Sequence, residues 1–203
     1  RGQAVLVSHS ASVLSRIDPG SIRHFRLDVA AGTAEVRPIT LPDEATEAGK
    51  YVREAVRAHP ELYFARFVVL GEGDTEDIVI PAVAQARGID LDPSFVAMVP
   101  LGGRHTNHFW KLLTDLHIPF ATLLDLDYGR ADAGPGRLRD ACRRLTENGV
   151  DVFDRLDGFS TVADFTDAMT MTQVDVVITH LRQFGVFFST PLDLDMAMLD
   201  AFW

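Results

Sequence analysis

Four carboxylates, Glu72, Glu76, Asp125 and Asp127, fall at two places where a β-rich run gives way to a turn. Val68-Val69-Leu70 runs into Gly71-Glu72-Gly73-Asp74-Thr75-Glu76, and Leu123-Leu124 runs into Asp125-Leu126-Asp127. Open α/β sheets converge their ligand-binding loops at the carboxyl ends of their strands. The flanking glycines let the backbone turn tightly beside Glu72, and Glu76, four residues on, starts a helix that faces the same edge. Asp125 and Asp127, at i and i+2, share one face while Leu126 points into the core. Two unit charges about 4 Å apart repel by about 4 kcal/mol at an effective dielectric of 20, so this gathering calls for a cation. Oxygen donors without a cysteine favour magnesium or manganese over zinc. On the residues alone an alternative stays open: two glutamates that favour a helix N-terminus and two solvated turn aspartates.

Other chemistries find less support. Gly71-x-Gly73 could begin a dinucleotide fingerprint, but Glu76 stands where the third glycine belongs, and its charge would repel a pyrophosphate. Gly49-Lys50 lacks the glycine spacing of a phosphate-binding loop. His105 and His108 have the i, i+3 spacing of a metal pair but no third ligand. Ser8-His9 is adjacent in sequence and is not a serine poised on a base.

The elements that must position the acids follow a regular rhythm. Phe67–Leu70, Phe95–Val99 and Ala121–Leu124 read as strands, each followed by an amphipathic helix, near Thr75–Arg87, Thr106–Leu116 and Leu138–Asn148. This alternation predicts a parallel sheet with crossover helices. Val186–Ser189 is a further strand candidate, with a helix beginning near Leu192. Asp132–Gly136 reads as a Gly/Pro loop. Upstream, Ala4–Val7 reads as a strand entering a short helix at Ala11–Arg16, and Ile22–Leu27 and Thr33–Ile39 as a hairpin turned at Ala30–Gly32. A helix carrying Ala48, Val52, Ala55 and Val56 is stopped by Pro60.

The 203 residues, 47% hydrophobic and 24% charged, suit one or two compact cores. No apolar stretch approaches the roughly 18 residues that cross a bilayer, so no membrane partner is expected. The single Cys142 and the absence of a signal-like N-terminus predict a cytoplasmic setting. The net charge of −10 argues against holding nucleic acid by bulk positive field. Residues 1–66 carry 9 Lys and Arg against 8 Asp and Glu, whereas residues 67–203 carry 10 against 21, so the acid belongs to the second part.

The runs Val68–Glu76, Val99-Pro100-Leu101-Gly102-Gly103-Arg104-His105 and Leu123–Arg130 resemble a Toprim domain. More narrowly they resemble the carboxy-terminal part of the OLD (overcoming lysogenization defect) nucleases, which join an ABC-type ATPase to a Toprim nuclease. The resemblance implies an α/β Toprim-type parallel sheet flanked by helices over residues 65–203, truncated at its C-terminus. Before it, residues 1–64 would form a small α/β segment, the tail of the ATPase domain and a connector. Val5–Ser10 resembles the strand carrying the switch histidine of such ATPases, which makes His9 a remnant of an ATP site completed only in the full-length protein. The chemistry implied is DNA phosphodiester hydrolysis with two Mg2+ or Mn2+ ions. Glu72, Asp125 and Asp127 would hold the first ion and Glu76 would help hold the second. A further ligand is expected from Asp193 or Asp195, Asp193 being also a candidate helix cap. The implied partners are DNA and the chain's own N-terminal ATPase domain, through which a homodimer would form.

Two-metal nucleases benefit from a side-chain cation at the phosphate, yet the only lysines are Lys50 and Lys111. Arg104 and Arg130, each after a glycine-containing turn, are the candidates for DNA phosphate, the alternative being a lysine beyond Trp203. Two other functions remain open. Asp-Leu-Asp-x-Gly after a strand also resembles the haloacid-dehalogenase-like phosphatases, with Asp125 as nucleophile and Asp127 as acid/base. The acidic edge could instead be a non-catalytic regulatory or interaction surface of an ATPase.

Overall fold

The structure is a computed structural model, and it describes residues 2–28, 30–43, 45–102, 106–131 and 133–202. The chain begins with a one-turn helix α1 (Ala11–Leu14) and an antiparallel hairpin of β1 (Arg23–Asp28) and β2 (Thr33–Pro38). Asp28 Oδ1 accepts from the amides of Ala30 and Ala31 at 2.9 and 3.0 Å, which closes the expected turn, and Gly32 supplies its positive φ of 65°. Alternation along β1 turns Phe25 and Leu27 outward and buries His24. His24 Nε2 donates to the Tyr63 carbonyl at 2.8 Å, which ties the hairpin to the rest of the chain. Helix α2 (Glu47–Ala58) follows and ends before Pro60, as expected.

The strand expected at Ala4–Val7 does not form. Val5, Leu6 and Val7 are exposed, and no described strand pairs with them. A strand is stable only when paired with a neighbouring edge, and this segment is paired with none among the described residues. His9 is exposed on this extended segment.

The second part is the expected parallel sheet. Its strands β3 (Phe67–Gly71), β4 (Val96–Pro100), β5 (Phe120–Asp125) and β6 (Val186–Ser189) lie in the order β4-β3-β5-β6. They are linked through α3 (Asp74–Ala86), α4 (Thr106–Asp115), α5 (Pro135–Glu147) and α6 (Met171–Leu181), and α7 (Leu194–Phe202) follows β6. The chain steps from β3 to one side and then returns across it to β5. With right-handed crossovers this reversal sends α3 and α4 to opposite faces and opens a crevice between the ends of β3 and β5. Gly71 pairs with Leu123, and Asp125 with Ser189, so three strand ends finish at one rim.

Val68, Leu70, Val99, Leu126 and Leu138 are buried beneath that rim. The buried Trp110 donates from Nε1 to Thr122 Oγ1 at 2.8 Å, which locks α4 to β5 and leaves no polar atom of that pair unsatisfied. Cys142 is buried in α5, and burial pushes its thiol up to about 12, which keeps it an inert core residue. Among the described residues, no helix is long and apolar enough to cross a membrane.

One boundary and one element differ from expectation. Helix α5 begins at Pro135, three residues before the expected Leu138, because proline at the first helical position gives up an amide that would be unpaired there in any case. Helix α6 lies in a stretch for which the sequence offered no element.

Candidate metal and phosphodiester site

Glu72 leaves the end of β3 and Glu76 stands in the first turn of α3. The approach is close: a Cβ on Gly71 would lie 2.6 Å from Glu76 Cβ, so only glycine lets the strand end reach the helix. Glu76 Oε2 in turn accepts from the Gly73 amide at 2.9 Å, an N3 carboxylate reaching back to the start of its helix. Glu76 is only 2% exposed.

Glu72, Glu76 and Asp125 line one cavity of about 220 Å³, together with Asp193 and Asp195 from the start of α7. Five carboxylates from three strand ends therefore border one space. Asp125 Oδ1 accepts from Ser189 Oγ at 2.7 Å and from the Leu194 amide at 3.3 Å. Asp193 Oδ1 accepts from the Met196 amide at 2.8 Å, so the expected cap exists. Asp195 accepts from Thr75 Oγ1 at 2.9 Å. Burial, then repulsion from Asp125 and Glu72, pushes Glu76 above the ordinary glutamate range. Burial also raises Asp125, the Ser189 hydroxyl pulls it back, and the charges of Glu72 and Asp127 add to the rise. Both shifts report negative charge held out of water with incomplete compensation.

Asp127 behaves differently from its expected place beside Asp125. The strand ends at Asp125, and Asp127 sits at φ 53° instead of continuing the alternation. Its carboxylate meets two arginines: Arg137 Nη2 donates to Oδ2 at 2.7 Å, and Arg130 Nη1 donates to Oδ1. Arg137 Nη1 also donates to Glu72 Oε1 at 2.9 Å, while Glu72 Oε2 accepts from the Asp125 amide at 2.9 Å. Burial works against the charge on Arg137, but Glu72 and Asp127 together hold its pKa above the usual value. Arg130 Nη2 reaches on to Asp193 Oδ2 at 2.9 Å.

Part of the compensating charge demanded by the acids is thus present as two guanidinium groups, which pair with Glu72, Asp127 and Asp193 and leave Glu76 and Asp125 without a cation among the described residues. Among the described residues, no three His, Cys, Asp or Glu side chains close on a single point in the manner of a finished metal cage. The donor chemistry nevertheless suits a hard divalent cation: carboxylate oxygens from several loops, two of them on groups whose charge is under-compensated. Arg104 and His105 lie outside the described residues. His108 is on α4, and Lys111 on the same helix pairs with Asp115 at 3.6 Å. Arg137 was missed by sequence reasoning because it fell between the expected loop at Asp132–Gly136 and the helix expected from Leu138; Pro135 was the available sign that the helix starts early enough to place it at the rim.

A four-stranded parallel sheet with acids at the ends of its two central strands is consistent with a Toprim fold. Residues 63–127 match the family model described as overcoming lysogenization defect protein-like, TOPRIM domain, and the likeness to a Toprim region of this OLD type is shown for that stretch. The match ends at Asp127, so Asp193 and Asp195 lie outside it. The C-terminal region of the Burkholderia pseudomallei OLD protein is 28% identical, with a TM-score of 0.50 over 68% of this chain and 60% of that one. The C-terminal region of the Xanthomonas campestris pv. campestris OLD protein is 26% identical, with a TM-score of 0.45 over 64% of this chain and 53% of that one. The chain therefore spans between about half and three fifths of the structures it resembles. No curated protein matches it.

Proposed function

We propose that this domain is a Mg2+- or Mn2+-dependent DNA endonuclease, the C-terminal part of an ATPase-coupled nuclease in which residues 1–64 are the tail of the ATPase domain and its connector. The observation that carries the reading is the meeting of Glu72, Glu76, Asp125, Asp193 and Asp195 around one cavity at the switch point of a Toprim sheet. Glu72, Asp125 and Asp127 are the ligands assigned to the first ion, and Glu76 with Asp193 and Asp195 those assigned to the second. When bound, the two ions supply Lewis-acid charge at the attacking and leaving oxygens of an in-line displacement.

The protein's own groups prepare that step. Ser189 and the Leu194 amide fix one Asp125 oxygen, and the Gly73 amide fixes one Glu76 oxygen, so each carboxylate offers its other oxygen in a set direction. No serine or cysteine nucleophile is needed, since water can attack. ATP acts in the full-length protein alone, with His9 as the remnant of its switch histidine. A homodimer through the ATPase domain and a cytoplasmic setting belong to the same reading.

The test is nicking of supercoiled plasmid with Mg2+ or Mn2+ by the chain and by its Glu76→Ala variant. The expected result is divalent-dependent nicking that EDTA abolishes and that Glu76→Ala lowers by about 100-fold or more. Unchanged cleavage in the variant removes the second-ion role of Glu76. Phosphate release from a small ester without nicking would favour the phosphatase reading with Asp125 as nucleophile.

A further inference from the structure

Two arginines offset part of the charge at the acidic rim, and they are built differently. Arg137 is rooted in the first turn of α5 and spans Glu72, just past β3, and Asp127, two residues past β5. Its side chain is about one-third exposed and the two carboxylates are nearly buried. Arg130 stands on the loop after β5, with more than half of its side chain in solvent. It spans Asp127 and Asp193, which belong to two different loops, and Asp193 also lines the acidic cavity. Arg137 is therefore a fixed part of the rim, whereas Arg130 is a strap laid across it from outside.

We propose that Arg130 is an exchangeable counter-cation. It holds Asp127 and Asp193 together while the rim lacks a divalent ion, leaves them when one is taken up there, and then turns its guanidinium to a phosphate oxygen of the bound DNA. The inference rests on the metal-site reading above and adds to it a competition that the ligand assignment alone does not contain. Three observations carry it. Arg130 takes one oxygen from each of two carboxylates assigned to different ions. Those carboxylates are secured without it, Asp193 by capping α7 and Asp127 by Arg137, so release of Arg130 does not scatter the ligands. The released side chain is a planar fork of donors suited to phosphate, anchored next to Asp127 on an exposed turn where Gly129 has a positive φ of 89°. A guanidinium and a divalent ion a few ångströms apart repel each other, so both cannot occupy the same carboxylate oxygens.

The test uses the full chain and three proteins: wild type, Arg130→Met and Arg130→Lys. Calorimetric titration with Mn2+ reads metal affinity, and fluorescence anisotropy of a labelled 30-base-pair duplex in Ca2+ reads DNA affinity. Removal of the competing charge in Arg130→Met is expected to tighten Mn2+ binding by about tenfold or more. The same variant is expected to bind the duplex more weakly, with the slope of log affinity against log salt reduced by about one. Arg130→Lys, which keeps the charge without the fork, is expected to lie between. Because Arg130 is exposed, the substitution leaves the core intact, and far-UV circular dichroism verifies this. Mn2+ affinity unchanged or weakened in Arg130→Met overturns the exchange while leaving the metal site standing. Tightened Mn2+ binding with unaltered duplex affinity overturns the transfer to phosphate. A wild-type chain that takes up no divalent ion overturns both the exchange and the metal-site reading.

Discussion

At the residue scale, the site depends on a missing side chain as much as on charged ones. Gly71 is the point at which strand β3 touches Glu76, and a methyl group there would overlap Glu76 Cβ. Gly71→Ala is expected to destabilise the fold by about 1–3 kcal/mol, the usual cost of overpacking a tight contact. Urea unfolding of the metal-free protein would measure it, and a change within error would mean that the contact yields without cost. The acids were legible because their chemistry is carried by residue type and by position after apolar runs. Arg137 was not legible, since its role depends on which turn of α5 faces the rim, and Pro135 shifts that by three residues. Asp127 was legible as an acid near the end of β5 but not in its partners, because a φ of 53° breaks the alternation that would have set it beside Asp125.

At the scale of elements, the central strands were readable because fully buried parallel strands are short apolar runs between turns. The segment Ala4–Val7 has the same composition and forms no strand, since a strand is made by pairing and burial, and this segment has neither among the described residues. The hairpin shows the reverse case: its two strands and their turn were readable, but the histidine facing inward was not singled out. His24 is buried and accepts no charge readily there; burial holds its pKa below the ordinary 6.5, and the nearby Arg26 adds to the effect against the Tyr63 carbonyl. The unfolded chain thus takes up this proton at a higher pH than the folded one. As pH falls from 6.5 through the lower folded value, the unfolded state binds more protons and stability declines, by at most about 1.4 kcal/mol per pH unit. The stability difference between wild type and His24→Gln, measured by urea unfolding from pH 7.5 to 5, is expected to move against the wild type as pH falls. A difference that is flat with pH would show that the hairpin accommodates a charged His24.

At the scale of the whole molecule, charge is the deciding quantity. The second part of the chain carries 11 more acids than bases, which by itself repels DNA. Two divalent ions would cancel four of those charges at the rim, where the scissile phosphate must approach, so under the proposed reading the metal brings in the substrate as well as activating it. The interaction-surface alternative makes no such demand on the rim. The most direct test is a crystal of the chain soaked in Mn2+ and measured at the manganese absorption edge. Two anomalous peaks are expected within the space bordered by Glu72, Glu76, Asp125 and Asp193, and neither should appear in an Asp125→Asn, Glu76→Gln double variant. A fully soaked crystal with no peak there, and with Glu76 and Asp125 still facing each other without a cation, would contradict the account.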